Sequence, residues 1–209
     1  MIFPLHIALR PLDCNFHSDN TLYLTEKYKQ DFITRGRPIS SIAARDFLME
    51  LAYCKNIALP LPRQDAQGVP IFENHLAWSI SHTDNFLAVS ISQHGSIGID
   101  IERIKPRDIV CFDLFDDTEY QFSGGKDWQT FYRMWTIKES VIKWERSGLD
   151  RLQDIHIISS RLCSVEIGAI VFTTMTRIMN RGILLVVLSG EKEGYAYSVT
   201  HQSFLSLLY

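Results

Sequence analysis

The chain has 209 residues, 46% of them hydrophobic and 22% charged, with a formal net charge of -3. That is enough apolar side chain to build a core without disulfide or metal staples. The slightly acidic balance excludes a general electrostatic pull toward nucleic acid, and no apolar run reaches the roughly 18–20 residues of a membrane span.

The N-terminal MIFPLHIALRPLDC has no basic region ahead of its apolar run. It does not read as a signal peptide, and a cytoplasmic protein is expected. Cys14, Cys54, Cys111 and Cys163 are far apart with no C-x-x-C spacing, so they are expected to be reduced thiols rather than a zinc site.

In chain order, residues 2–9 predict a short strand and residues 20–34 a short helix. Ser40 and Ser41 are placed to cap a helix whose apolar face carries Ile42, Phe47, Leu48, Leu51 and Cys54, ending near Asn56. Residues 57–75 are loop-rich. HLAWSISH (75–82), FLAVSIS (86–92) and IGIDIER (97–103) follow as three strands with short turns, the pattern of an antiparallel meander. A charged connector, a short helix near Asp117–Phe122 broken by Ser123-Gly124-Gly125, and a long helix over 127–147 come next. Strands are expected at 164–173, 182–189 and 194–200. Helix then meander, twice, predicts an α+β fold of two similar lobes, each a helix packed on a small antiparallel sheet. The expected division is 1–103 and 104–209, with an active cleft between.

Four constellations carry possible chemistry. In Gly98-Ile99-Asp100-Ile101-Glu102, strand alternation turns the isoleucines to the core and both carboxylates to the other face, with Gly98 leaving space beside them. Paired carboxylates suit Mg²⁺, although a solvated strand face gives the same pattern. In WTIKESVIK (135–143), Glu139 falls on the stripe of Phe131, Trp135 and Ile142, where an apolar residue is expected. Lys143 lies one turn on, so a plain surface pair is the alternative. His82 stands beside Ser81 at a strand end, where it can donate to phosphate or simply occupy a turn. Basic residues are scattered early (Lys27, Lys29, Arg35, Arg37, Arg45) and after the D-x-E strand (Arg103, Lys105, Arg107); arginine suits phosphate. No P-loop and no G-x-G-x-x-G is present.

Taken in order, GIDIERIKPRD (98–108), WTIKESVIK (135–143), WSISHTDNFLAVSIS (78–92) and IAARDFLMELA (42–52) resemble the 4'-phosphopantetheinyl transferases over roughly residues 40–150. The length resembles the two-lobed, surfactin-type branch. The resemblance implies that Asp100, Glu102 and Glu139 hold Mg²⁺ and that Arg45 and His82, with Ser81, bind a coenzyme A phosphate. It implies that Lys143 neutralises the pyrophosphate and that Lys138 anchors the helix or contacts substrate. A carrier-protein serine would attack the β-phosphate, with Glu139 or a nearby water taking its proton and adenosine 3',5'-bisphosphate leaving. The implied partners are coenzyme A and an apo acyl or peptidyl carrier protein of fatty acid, polyketide or nonribosomal peptide synthesis. That carrier would dock on Arg103, Lys105, Arg107 and the 109–123 segment; a monomer is expected, with no nucleic acid or membrane partner. One departure stands out. Family members often carry a basic residue between the glycine and proline of the loop at Gly68-Val69-Pro70, and here Val69 supplies no charge. The rival readings are a Mg²⁺-dependent phosphohydrolase acting on a nucleotide or coenzyme A, and a non-catalytic coenzyme A-binding protein.

Overall fold

The computed structural model describes residues 5–12, 21–66, 68–83, 86–93 and 95–159, and the backbone of strands between 164 and 190. The chain is α+β. Strand β1 (Leu5–Pro11), helices α1 (Glu26–Thr34) and α2 (Ile39–Cys54), and strands β2 (Ala77–Thr83), β3 (Phe86–Ser92) and β4 (Ser96–Arg103) form the first half. Helices α3 (Asp117–Ser123) and α4 (Trp128–Glu145) follow, then β5 (Ile155–Ser159), β6 (Ser164–Ile167), β7 (Ile170–Thr173), β8 (Met175–Met179) and β9 (Ile183–Gly190). The expected strand at 194–200 lies outside the described residues.

Side-chain caps start α1 and α4. Thr25 Oγ1 accepts from Tyr28 N, and Asp127 Oδ1 accepts from Thr130 N at 2.7 Å, satisfying N–H groups that have no partner within the first turn. Gly124 ends α3 at φ 112°, a conformation that side-chain-bearing residues avoid. The expected serine cap of α2 is not used. Pro38 takes that position, and Ser41 lies one turn in, where its hydroxyl and carbonyl oxygens accept from Arg45 Nη1 at 2.5 and 2.8 Å. Cys54, expected on the buried face of α2, is exposed.

The first sheet has the order β1-β3-β2, all antiparallel. Helix α2 covers it through Phe47, Leu48 and Leu51 against Trp78, Leu87, Val89 and Ile91. The expected three-strand meander is therefore corrected. β2 and β3 form a hairpin, but β4 leaves them and pairs antiparallel with β9 in a second sheet, β4-β9-β8. The seam between the sheets is made by side chains: Ile99 N donates to Ser79 Oγ (3.1 Å) and Ile101 N to Ser81 Oγ (3.3 Å). Two hydroxyls thus satisfy backbone N–H groups that a neighbouring strand's carbonyls would otherwise take. The single strand expected at 164–173 is two strands, β6 and β7, which with β5 form a third antiparallel sheet.

Helix α4 is buried nearly all round, including Phe131, Met134, Ile137, Val141 and Trp144. Its approach to β4 depends on Gly98. A Cβ there would stand 1.8 Å from the Ser140 carbonyl oxygen and 2.7 Å from Trp144 N. The space expected beside the carboxylates is therefore filled by helix backbone.

Candidate active site

That close approach assembles the site. β4 presents Asp100 and Glu102 on the same face as Gly98, and α4 lays Glu139 and Lys143 across them. Asp100 is 3% exposed, so the solvated-strand alternative does not hold for it. Its Oδ1 accepts from Lys143 Nζ at 2.6 Å and from Ser81 Oγ at 2.7 Å. Its Oδ2 is buried with no hydrogen-bond partner among the described residues. An orphaned carboxylate oxygen costs free energy unless something positive reaches it. Lys143 also approaches Glu139 at 3.5 Å and donates to Ser81 Oγ at 3.1 Å. Ser81 accepts from Ile101 N and Lys143 and donates to Asp100, so its hydroxyl positions the cluster.

The electrostatics follow. Burial, then the neighbouring Asp100 charge, push Glu102 up to about 7, with Arg107 opposing from 3.8 Å. Burial and Asp100 raise Glu139 as well. Asp100 and Glu139 hold the Lys143 ammonium above its usual range against the opposing effect of burial. Carboxylates packed this closely repel, and protonation is how a protein without a further cation relieves the repulsion. Among the described residues, no three His, Cys, Asp or Glu side chains are gathered as a ready-made metal site.

On the other side of Ser81 the charge reverses. Desolvation, then the Lys143 and Arg45 charges, lower the His82 imidazole, which keeps solvent contact. Arg45 is 1% exposed and stacks its guanidinium 4.5 Å over the Phe32 ring, and its Nε has no partner among the described residues. Burial pushes the neighbouring Tyr28 hydroxyl up to about 12, against the pull of Arg45. Among the described residues no carboxylate pairs with Arg45. A buried, unneutralised guanidinium is an anion site by its chemistry.

The sequence-derived residues therefore sort into two neighbouring groups: the carboxylate–lysine cluster with Ser81, and the Arg45–His82 region. Lys138 belongs to neither. It is 1% exposed and pairs with Glu119 at 2.9 Å, while Glu119 Oε1 accepts from Ile157 N. This ties α4 to α3 and β5, the anchoring role rather than a substrate contact. Sequence reasoning missed Glu119 as its partner; a lysine inside the apolar run of α4 was the available signal.

Residues 96–196 match the family model of the 4'-phosphopantetheinyl transferase superfamily. That stretch of the chain is similar to this superfamily. The region holds Asp100, Glu102, Glu139 and Lys143. Among curated relatives, it is 33% identical over 116 residues to the 4'-phosphopantetheinyl transferase gsp of Aneurinibacillus migulanus, covering 53% of this chain and 48% of the relative. The 4'-phosphopantetheinyl transferase AcpT of Salmonella typhi is 33% identical over 100 residues, 43% of this chain and 52% of that protein. The 4'-phosphopantetheinyl transferase Sfp of Bacillus subtilis is 39% identical over 77 residues, 34% of each chain. The chain spans about half the length of the first two of these relatives. Among the described residues no helix is long and apolar enough to cross a membrane.

Proposed function

We propose that this chain is a phosphopantetheinyl transferase superfamily member and moves the 4'-phosphopantetheine group of coenzyme A onto a serine of an apo acyl or peptidyl carrier protein. The observation that carries the reading is the family match over the stretch in which β4 and α4 bring Asp100, Glu102, Glu139 and Lys143 together. The carrier serine Oγ attacks the β-phosphorus, the bond to the adenosine 3',5'-bisphosphate oxygen breaks, and Glu139 takes the serine proton. Lys143 supplies a fixed positive charge to the diphosphate, and Arg45 and His82 bind a phosphate on the far side of Ser81.

Asp100, with its orphaned Oδ2, and its neighbours Glu102 and Glu139 offer hard oxygen donors of the kind Mg²⁺ takes, although they are not drawn together as a ready-made metal site. Asp100, Glu102 and Glu139 would hold it, and it would neutralise charge on the diphosphate as the bond breaks. The proposal extends to the two-lobed arrangement of the surfactin-type branch, divided near residues 103 and 104, with β4 carrying the carboxylates into the cleft. It extends also to a cytoplasmic monomer that acts on no nucleic acid.

The test is the intact mass of apo carrier proteins incubated with this protein, coenzyme A and Mg²⁺. A gain of about 340 Da on one serine, abolished by a chelator, is expected. Release of adenosine 3',5'-bisphosphate without any carrier would point instead to a phosphohydrolase. Coenzyme A binding with no chemistry on any carrier would point to a binding protein.

A further inference from the structure

Helix α4 ends in a conformation that its sequence does not favour. Arg146, which follows Glu145, takes the left-handed region at φ 63° and ψ 37°. Its N–H and that of Ser147 (3.1 Å) both close on the Ile142 carbonyl oxygen, ending the last turn directly beside Lys143. Glycine takes this conformation freely, whereas a residue with a Cβ is strained in it. Such strain persists where the surroundings hold the side chain in place. Here the Arg146 guanidinium lies 4.8 Å over the ring of Phe72, while the neighbouring Glu145 carboxylate accepts from Ser147 Oγ at 2.9 Å. Phe72 stands in the loop ahead of β2 and packs against the cluster between α2 and the first sheet. Helix α4 is buried in the other large cluster, with Trp144 at its end. One arginine therefore ties the tip of α4 to the opposite half of the chain.

The tie matters because of where Lys143 reaches. Its backbone is in the last turn of α4, and its ammonium crosses to Ser81 Oγ at 3.1 Å and Asp100 Oδ1 at 2.6 Å. A lysine head on a flexible stem is placed no better than the backbone that carries it. Gly98 fixes α4 at Ser140 and at Trp144 N, but beyond Trp144 the helix runs out into solvent, with Arg146 itself exposed. Helix ends open before helix centres do. Stacking on Phe72 holds the end that Gly98 does not reach. The attraction of an exposed cation for an aromatic face is comparable in size to the penalty of a left-handed residue. The two therefore nearly cancel in overall stability, and what survives is the placement of the turn that carries Lys143.

We infer that Arg146 is a positioning residue: stacked on Phe72, it pins the last turn of α4 to the first half of the chain and so holds Lys143 in place for the reacting diphosphate. This rests on the transferase reading. The experiment compares wild type, Arg146→Gly, Arg146→Lys, Phe72→Leu and Phe72→Leu/Arg146→Gly by urea midpoint, by amide-exchange protection over residues 143–147, and by steady-state modification of an apo carrier with coenzyme A and Mg²⁺. Arg146→Gly removes the stack and the strain together, so its urea midpoint is expected to match wild type. Its protection over 143–147 is expected to fall about tenfold, and its kcat about tenfold with KM for coenzyme A unchanged. Phe72→Leu keeps apolar bulk and is expected to lose kcat equally, the double variant losing no more than either single one. Arg146→Lys keeps a cation over the ring and is expected to recover most of the rate. Unchanged protection in Arg146→Gly overturns the tie. Lost protection with an unchanged kcat overturns the positioning role, as does a kcat that falls only in step with the urea midpoint. Additive losses in the double variant overturn Phe72 as the anchor. Wild type that modifies no carrier overturns the transferase reading itself, while the exchange data still decide whether the tie exists.

Discussion

Replacing Gly98 by alanine tests how the site is assembled. The added Cβ would meet the Ser140 carbonyl oxygen at 1.8 Å and the Trp144 N at 2.7 Å. Both obstacles are helix backbone, so no side chain can swing aside. Restoring ordinary van der Waals distance requires α4 to retreat by about 1.5 Å. Overpacking of this kind costs about 1–3 kcal/mol where neighbours adjust, and a helix held by Phe131, Ile137 and Val141 in the core adjusts poorly, so the upper end is expected. Activity suffers more. The 2.6 Å contact between Lys143 and Asp100 is made across this interface, and a misplacement of about 1 Å in a reacting group costs on the order of 10²-fold in rate. The expected result is a folded Gly98→Ala protein with a lowered urea midpoint and carrier modification slowed by roughly two orders of magnitude. Wild-type rate and stability in Gly98→Ala would refute the claim that this glycine sets the β4–α4 distance.

Three more outcomes are expected. Glu102 titrates near 7 in the folded chain against 4.5 for the ordinary group, so between those values the folded state keeps a proton that the unfolded state releases. Its contribution to stability therefore falls as pH rises from 4.5 to about 7, by on the order of 2–3 kcal/mol; urea titrations in chelator should show the fall, Glu102→Gln should flatten it, and an identical profile in the two proteins would refute the assignment. Lys138→Met strands the buried Glu119 carboxylate and is expected to cost about 3–5 kcal/mol, most of it recovered in Glu119→Gln/Lys138→Met; thermal unfolding showing no recovery would refute the pairing. Ile109 and Val110 are 72% and 60% exposed on the 3-10 helix that follows the Arg103–Arg107 segment, so Ile109→Asp/Val110→Asp is expected to raise KM for the carrier about tenfold and leave KM for coenzyme A unchanged. Equal KM values for the carrier would move docking elsewhere.

Much of the site was legible because strand and helix periods place side chains without reference to the rest of the fold. Alternation put Asp100 and Glu102 on one face and Ile97, Ile99 and Ile101 in the core, where all three are buried. Helical spacing put Lys143 within reach of Glu139. Partner choice was not legible. Nothing local in IGIDIER distinguishes a third meander strand from one that crosses to β9, because its isoleucines are buried either way. The serine-mediated seam was equally hidden: Ser79 and Ser81 read as polar positions of an alternating strand until β4 lies beside them. Gly98 was read as space because a sequence shows a missing side chain and not what comes to fill its place.

The charge balance explains why these parts belong together. Asp100, Glu102 and Glu139 face one ammonium, Lys143, while Arg107 reaches Glu102 only from the half-exposed rim. Burial first, and then a cluster with less positive charge than it needs, raises Glu102 and Glu139, and among the described residues Asp100 Oδ2 has no partner. A site built only for stability would lower its free energy by losing a carboxylate or gaining a second buried cation. The Arg45 side shows the opposite imbalance, with a buried guanidinium that no carboxylate among the described residues neutralises. A ligand carrying a divalent cation at one end and a phosphate monoester at the other relieves both deficits at once, and coenzyme A with Mg²⁺, as proposed here, is such a ligand.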